Sequence, residues 1–500
     1  MNLRPKKELT EAEINTGLKL VIGDGLAAEA MTTLTGGAFL VAMAILMGAS
    51  NFQIGLLAAL PTFTNVFQLL SIWLVRRYNN RRAISVICGL LARFPLLVVS
   101  VLVLFFAKDS VSLVIFFLFF HYFFGSIAGP SWNSWMKDLV PEKTLGAYFS
   151  RRSSYTQTLN VVLSLALAFV LDYIKKRYPQ YELSTYATMF GIGGIIGLLG
   201  SIILAKTPEP QSYLVKENVF RLFKRPLLNR NFRSLLIFNS VWVFALNLAT
   251  PFFTVFLLKS MKMELSYIIG LGILSQICSI LTIRLWGRYA DRYSNKTIIA
   301  VGAPLYILCI VAWCFVGIYT NFYANLVLLV IIYAVTGFAT AGINLSLTNI
   351  GLKLAPKEEA IVYLSVKNII PSTFSSIAPL IGGLLADYFI HRHLSLTATW
   401  GGPHLTKTLH LVELHEWNFL FAIGAFLAFV ALEFLVPVKE VGEVEKDVVV
   451  RVMRSGIRNS LKDAFIIGNL MNWHNQLWRF IRKRTVISDK EAPGSEEDKP

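Results

Sequence analysis

Four ionisable side chains, Asp24, Glu29, Arg93 and Lys367, fall inside stretches that are otherwise almost free of charge. A charge at the centre of a bilayer costs at least about 2.5 kcal/mol on insertion scales, so such groups mark sites of transport chemistry or pair with one another. Glu29 is the deepest acid, roughly 15 Å along its helix at 1.5 Å per residue. It reads as a proton-coupling carboxylate, with Asp24 as the second candidate and Arg93, at similar depth, as their charge partner. The other reading is a purely structural pair of Glu29 or Asp24 with Arg93. Asp24 also stands in a Gly-Asp-Gly sequence that reads as a helix-end cap near the interface. Lys367 corresponds to Arg152 at the repeat offset, so each half carries a cation near the cytoplasmic mouth, and the pair attracts an anionic substrate or serves the interdomain locks.

The elements that must hold these groups follow from composition. Of 500 residues, 55% are hydrophobic and only 15% charged, whereas soluble domains carry about 25% charged residues. Apolar runs long enough to cross a membrane, which takes about 20 residues, predict an all-α polytopic membrane protein. Twelve transmembrane helices are expected, at 18–47, 52–75, 83–107, 110–137, 151–173, 184–205, 234–259, 264–287, 297–319, 322–352, 360–389 and 416–438. The charge of +17 therefore points to topology and not to nucleic acid: Lys and Arg concentrate in the loops that share a side with both termini, which places both termini in the cytoplasm. The polar residues 1–17 carry no cleavable leader pattern. Cys88, Cys278, Cys309 and Cys314 lie in apolar segments and read as buried hydrophobes.

Residues 206–233 are rich in Lys, Arg and Pro and read as a cytoplasmic linker between a bundle at 18–205 and another at 234–438. The halves repeat. Residues 139–150 (LVPEKTLGAYFS) align without gaps on 354–365 (LAPKEEAIVYLS) at an offset of 215, and 73–82 (WLVRRYNNRR) on 287–296 (GRYADRYSNK) at 214. Such repeats mark transporters that rock two halves about a central site. Five of seven histidines, His391, His393, His404, His410 and His415, share the long loop before the last helix. Their irregular spacing reads as a solvated loop, with pH sensing or metal binding as the other options and no metal expected. Residues 439–488 read as an amphipathic tail lying on an anionic cytoplasmic leaflet, and 489–500 as disordered.

At 287–296 the chain resembles the major facilitator superfamily, through Gly287, Asp291, Arg292 and Lys296. Residues 129–152 resemble a poorly characterised bacterial branch of it. The resemblance implies two pseudo-symmetric six-helix bundles. It also implies a lock in which Asp291 meets the helix start at Arg151 and Arg152. In the first-half copy Trp73 replaces the Gly and Arg77 the Asp, which suggests a charge-swapped lock of Arg77 with Glu358 or Glu359, or else a simple topogenic cation. By the resemblance, the first, fourth, seventh and tenth helices line the cavity and bring there His121, Tyr122, Trp132, Asn133, Trp135, Asn239, Trp242, Asn247, Asn344 and Asn349. The fifth helix lacks the Gly and Pro of the family's drug-proton antiporters. The expected function is secondary active transport of a small polar or amphipathic organic solute by alternating access, coupled to protons, in the bacterial cytoplasmic (inner) membrane, by a monomer without a cofactor. A lipid or lysolipid flippase on the same fold is the runner-up. A membrane-embedded enzyme is disfavoured, and the absence of a phosphate-binding loop argues against a primary pump.

Overall fold

The computed structural model describes residues 5–7, 9–106, 110–141, 144–211, 219–317, 321–356, 360–401 and 406–440. The first span is broken into α1 (Glu11–Thr35) and α2 (Gly37–Leu46). It is followed by α3 (Asn51–Phe63), α4 (Gln68–Tyr78), α5 (Arg81–Phe105), α6 (Val111–Leu139), α7 (Leu145–Arg177) and α8 (Glu182–Leu204). The second half runs through α9 (Val219–Leu228), α10 (Arg230–Lys259), α11 (Leu265–Tyr293), α12 (Asn295–Trp313), α13 (Phe322–Leu354), α14 (Ala360–Phe389) and α15 (Trp417–Glu433). Counting α1 with α2 and α3 with α4, eleven spans among the described residues are long and apolar enough to cross a membrane. The 17-residue α15 is the shorter twelfth. They form two six-helix bundles, and the protein is a multi-pass membrane protein.

Local chemistry explains several departures from the predicted boundaries. The first span starts at Glu11, seven residues early, because Thr10 and Glu13 form a reciprocal capping box. Its break falls at Gly37, whose φ of +57° only glycine adopts readily. Asp24 is no helix-end cap: it lies inside α1 and is buried. Residues 219–228 of the linker are helical. The loop before the last span is instead an antiparallel hairpin of β1 (His393–Gly401) and β2 (Thr406–His415), pairing His393 with His415. Glu358, Glu359, most of the 439–488 tail and all of 489–500 lie outside the described residues.

The repeat appears in the hydrogen bonding. Pro141 and Pro356 each stand two residues beyond the end of their helix, α6 and α13. Beside them, a carboxylate that follows the last helix of each bundle closes the start of that bundle's third helix. The Glu209 oxygens accept the N–H groups of Arg81 and Arg82 at 2.9 and 3.0 Å. Glu440 accepts the Lys296 N–H at 2.8 Å and the Asn295 amide at 2.7 Å. The third corner is charge-permuted. In the first bundle buried Arg81 bridges Glu209 and Asp138; in the second, Lys353, the repeat mate of Asp138, supplies the cation to Glu440 at 2.9 Å.

A second pair of carboxylates joins the bundles at the opposite face, called here the hairpin face, away from the linker. Asp172 on α7 accepts the N–H groups of Leu265 and Ser266 at the start of α11, at 3.0 and 2.9 Å. Asp387 on α14 accepts the Phe52 N–H at the start of α3, at 3.1 Å. The two aspartates are related by the 215-residue offset. Deeper in, Asn65 donates to Ser372 and Gln276 to Gln157, each at 3.3 Å across the same seam. Close backbone approach supports these latches, because a Cβ on Gly383 would meet the Asn51 carbonyl at 2.6 Å.

Packing follows the latches. One apolar core at the hairpin face draws on both bundles, including Met43, Leu57 and Leu171 of the first and Phe252, Leu265 and Trp313 of the second. Towards the linker face the cores are separate, one around Phe232, Tyr306 and Tyr363 and another around Val21, Val86 and Trp135. The bundles are thus sealed at the hairpin face and independent at the linker face.

These carboxylates make two outcomes measurable. A helix start stabilises a nearby carboxylate by about 1 kcal/mol, up to about 2 kcal/mol where it is buried as at Asp172, and about 1 kcal/mol is about fivefold in an equilibrium. Asp172→Asn and Asp387→Asn should each raise the population with the hairpin face open by about that factor, and the pair by about the product; spin-label distances between positions 178 and 262 read it. Unchanged distances in the double variant would refute the latch. The second concerns Glu440. Burial pushes its carboxyl up, but hydrogen bonds from Asn295, Lys296 and Lys353 outweigh this and hold it below the ordinary carboxylate value. Its contribution is present above the ordinary value and lost as pH falls through the lowered one. Glu440→Gln should melt lower than wild type at neutral pH, with the gap closing on acidification.

Candidate functional site

A cavity of about 490 Å³ lies in the first bundle beside the inter-bundle seam. Along α6 it runs from His121 to Asn133, about 18 Å of helix rise, toward the linker face. Pro61, Thr64 and Asn65 form its inner end, Tyr122, Pro130 and Trp132 an apolar and aromatic wall, and Asp24, Arg93 and Arg152 its charged side.

Three helices and three glycines position these charges. Asp24 comes from α1, Arg93 from α5 and Arg152 from the first turns of α7. Arg152 lies across Gly25, where a Cβ would sit 2.7 Å from the guanidinium, and Arg93 lies across Gly89 at the same separation. On α8, Gly197 leaves room for the Arg93 stem, which an added Cβ would meet at 3.0 Å. The Arg152 guanidinium also stacks 4.9 Å from the Trp132 ring, a cation–π contact. Its one hydrogen bond among the described residues runs from Nε to the Val21 carbonyl at 3.5 Å.

Polar satisfaction is incomplete here. Asp24 Oδ1, Arg93 Nε, Trp132 Nε1 and Ser85 Oγ are buried and make no hydrogen bond among the described residues. Most buried polar atoms in folded proteins have a partner, so a cluster of orphans on one cavity wall points to a ligand. The Asp24 carboxylate feels both Arg93 and Arg152 electrostatically, yet pairs directly with neither within 4 Å. His121 Nδ1 is held 2.7 Å from the Ala92 carbonyl.

Of the residues expected in the cavity, His121, Tyr122, Trp132 and Asn133 line it, together with Asp24 and Arg93. Glu29 does not: it sits on a different face of α1 and accepts a 3.0 Å hydrogen bond from the Asn160 amide of α7, which also donates to Thr33. Trp135 is fully buried in the bundle core and donates to the Pro208 carbonyl at 3.0 Å. Trp242 stacks on Phe238 and packs near Tyr306 in the second-bundle core, with Asn239 buried beside it. Asn247 donates back to the Val243 carbonyl one turn away. Asn344 is exposed and Asn349 half-buried on α13, and none of these five second-half positions lines this cavity. An apolar sequence around an indole or amide does not reveal which side of a helix it occupies within a bundle.

The lock residues are apart. Asp291 and Arg77 are exposed on the linker face and make no ion pair or hydrogen bond among the described residues. Arg151 donates to Tyr155 at 2.9 Å, and Arg152 is turned into the cavity. Arg292 covers the ring of Tyr293, Gly287 lies in α11, and Lys296 is held by Glu440 and Val436 within its bundle. Lys367 is buried across Gly351 of α13. Among the described residues no cluster of His, Cys, Asp or Glu could hold a metal; His404 lies outside them, and His391 stands 4.0 Å from Glu416. Asp172, Asp387, Glu209 and Glu440 were not anticipated. The first two are legible afterwards as Leu-Asp-Tyr and Ala-Asp-Tyr at the same 215 offset.

Known proteins with this architecture are transporters. The fold is similar to a single-site mutant of the nucleoside transporter NupG, with TM-score 0.61, 16% identity, and 85% of this chain and 100% of the other covered. It is also similar to a D-xylose-proton symporter, with TM-score 0.60, 14% identity, and 87% and 98% covered. A bacterial homologue of the lysosomal transporter Spinster, solved inward-facing and unoccupied, gives TM-score 0.55 at 16% identity, with 86% and 95% covered. No curated protein sequence matches. The family model of the Major Facilitator Superfamily matches residues 25–370, more than half the chain, so this protein belongs to the major facilitator superfamily and is a transporter, not an enzyme.

Proposed function

We propose that the protein is a proton-coupled secondary transporter of a small polar organic solute, and that Asp24 carries the coupling. The observation that supports this most is a carboxylate buried inside the first span, electrostatically shared by two arginines, with one oxygen unpaired at a cavity wall. Such a group can exchange a proton when the cavity changes the side to which it opens. Glu29 has an amide partner and does not line this cavity, which suits a structural polar contact between α1 and α7. A wall lined by three charged side chains favours a polar solute over a lipid.

In this reading the linker face is cytoplasmic, which the distribution of Lys and Arg supports, the membrane is the bacterial cytoplasmic membrane, and the conformation is inward-open. The Asp172 and Asp387 latches hold the outer side shut. When the inner side closes, Asp291 meets the start of α7, and Arg77 meets Glu358 or Glu359.

Proteoliposomes incubated with a metabolite extract under an imposed pH gradient test the proposal, with retained solutes identified by mass spectrometry. Wild type should accumulate at least one solute that empty vesicles do not, and a protonophore should collapse it. Asp24→Asn should still exchange that solute across the membrane but bring it only to equal concentrations, whereas Glu29→Gln should accumulate it. Accumulation by Asp24→Asn, or indifference to the protonophore, would overturn the assignment.

A further inference from the structure

We infer that the cavity of the first bundle is an organic-anion site, in which Arg93 and Arg152 clamp a carboxylate or phosphate group while the organic body lies against Tyr122 and Trp132. The inference rests on the transport reading above and supplies its substrate class.

Charge is the first argument. Two guanidinium groups and one carboxylate leave this wall with an excess positive charge, and the Asp24 carboxylate lies close enough to act on both arginines without saturating either. Guanidinium groups match the planar oxygens of carboxylate and phosphate bidentately. Unmet donors are the second. Arg93 Nε and Trp132 Nε1 are buried and unpaired, and the single long bond of Arg152 uses only its Nε. A ligand rich in acceptor oxygens satisfies all three, whereas a neutral or cationic solute leaves the arginines exposed to one another.

Asymmetry is the third. At the repeat offsets, Asp24 corresponds to Phe238, Arg93 to Ile307 and Arg152 to Lys367. Two of the three charges have no counterpart in the second half, and a scaffold role would call for them in both. The glycines are the fourth. Gly25 and Gly89 keep both guanidinium groups flat against the helices and directed to the cavity, and an alanine at either would press on them.

Asp24 then becomes the competitor of the substrate. While ionised it occupies the field of both arginines; on taking up a proton it releases that field to the incoming anion, so anion and proton bind together. Among the described residues the charged or titratable groups acting on it are Arg93 on α5 and Tyr148 with Arg152 on α7, with His121 on α6 beyond Arg93, while α8 presents Gly200. Anion affinity should therefore rise on acidification.

Calorimetric titration of the purified full-length protein with benzoate, phenyl phosphate and the neutral isostere benzamide tests the site. Saturable binding of at least one anion is expected, with benzamide weaker by at least about tenfold, the range for a hydrogen bond to a charged group. Inorganic phosphate or acetate as competitor distinguishes a phosphate from a carboxylate preference. Arg93→Gln and Arg152→Gln should each lose at least about tenfold in affinity, and Arg93→Lys and Arg152→Lys should lose less. Asp24→Asn should bind the anion more tightly than wild type at alkaline pH and show a flattened pH profile. If a glutamine variant does not remain monodisperse, Gly25→Ala, which keeps every charge but displaces Arg152, should weaken the anion alone. Absence of saturable anion binding, equal affinity for benzamide, or anion affinity unchanged in the glutamine variants would overturn the inference. Benzamide bound as tightly as the anions, with neither affinity changed in the glutamine variants, would do so while leaving the solute-transport reading intact.

Discussion

Every helix that begins at a membrane face carries backbone N–H groups that its own turns cannot satisfy, and this molecule answers four of these starts with carboxylates from elsewhere in the chain. Two of the four, Glu209 and Glu440, act within a bundle and fix the third helix of each half against the segment that follows the sixth. The other two, Asp172 and Asp387, act between bundles. The same device thus ties helices together within each bundle and joins the two bundles at the hairpin face by two discrete contacts. In the proposed alternating-access cycle the first pair would be retained and the second would break.

The duplicated scaffold also shows where evolution has departed from it. In the capping triangles the cation moved from α5 in the first half, as Arg81, to α13 in the second, as Lys353, while the carboxylate stayed. In both halves the carboxylate still accepts from the helix start and keeps a cation beside it. In the cavity no such compensation exists. Asp24 and Arg93 face apolar residues at the related positions, so the membrane cost of burying them is borne in one bundle only, and whatever offsets that cost is specific to that bundle.

Much of the architecture was legible in the sequence because a span declares itself by length and hydropathy, and a repeat by two loops sharing an offset. Asp24, Arg93, His121, Tyr122, Trp132 and Asn133 were also found, since charge and polarity inside a lipid-spanning segment are conspicuous. Orientation about the helix axis was not legible. Glu29 and Asp24 lie five residues apart on α1, an angular separation that sends one to Asn160 and the other to the cavity, and nothing in the local pattern says which. The same limitation sent Trp135 and Trp242 to the cavity on paper and to bundle cores in the structure. Arg152 reads from sequence as a mate of Lys367, a mouth cation that attracts an anion or serves the interdomain locks, and the packing of α7 across Gly25 shows it turned inward.

That position of Arg152 links the two parts of the molecule. It stands beside the helix start that Asp291 would meet when the linker face closes, and it also lines the cavity. A ligand shifts an equilibrium between two conformations only by its differential affinity for them. An anion held by Arg152 would change the charge presented to Asp291, and a ligand reaching the inner end would meet Asn65, which bonds Ser372 of the other bundle. With the hairpin face held by two latches, each worth on the order of 1 kcal/mol, a contact of similar size at the linker face is enough to tilt the balance. In the proposed cycle the site need not be strong; it has to sit where a gate residue and a substrate group would share one side chain.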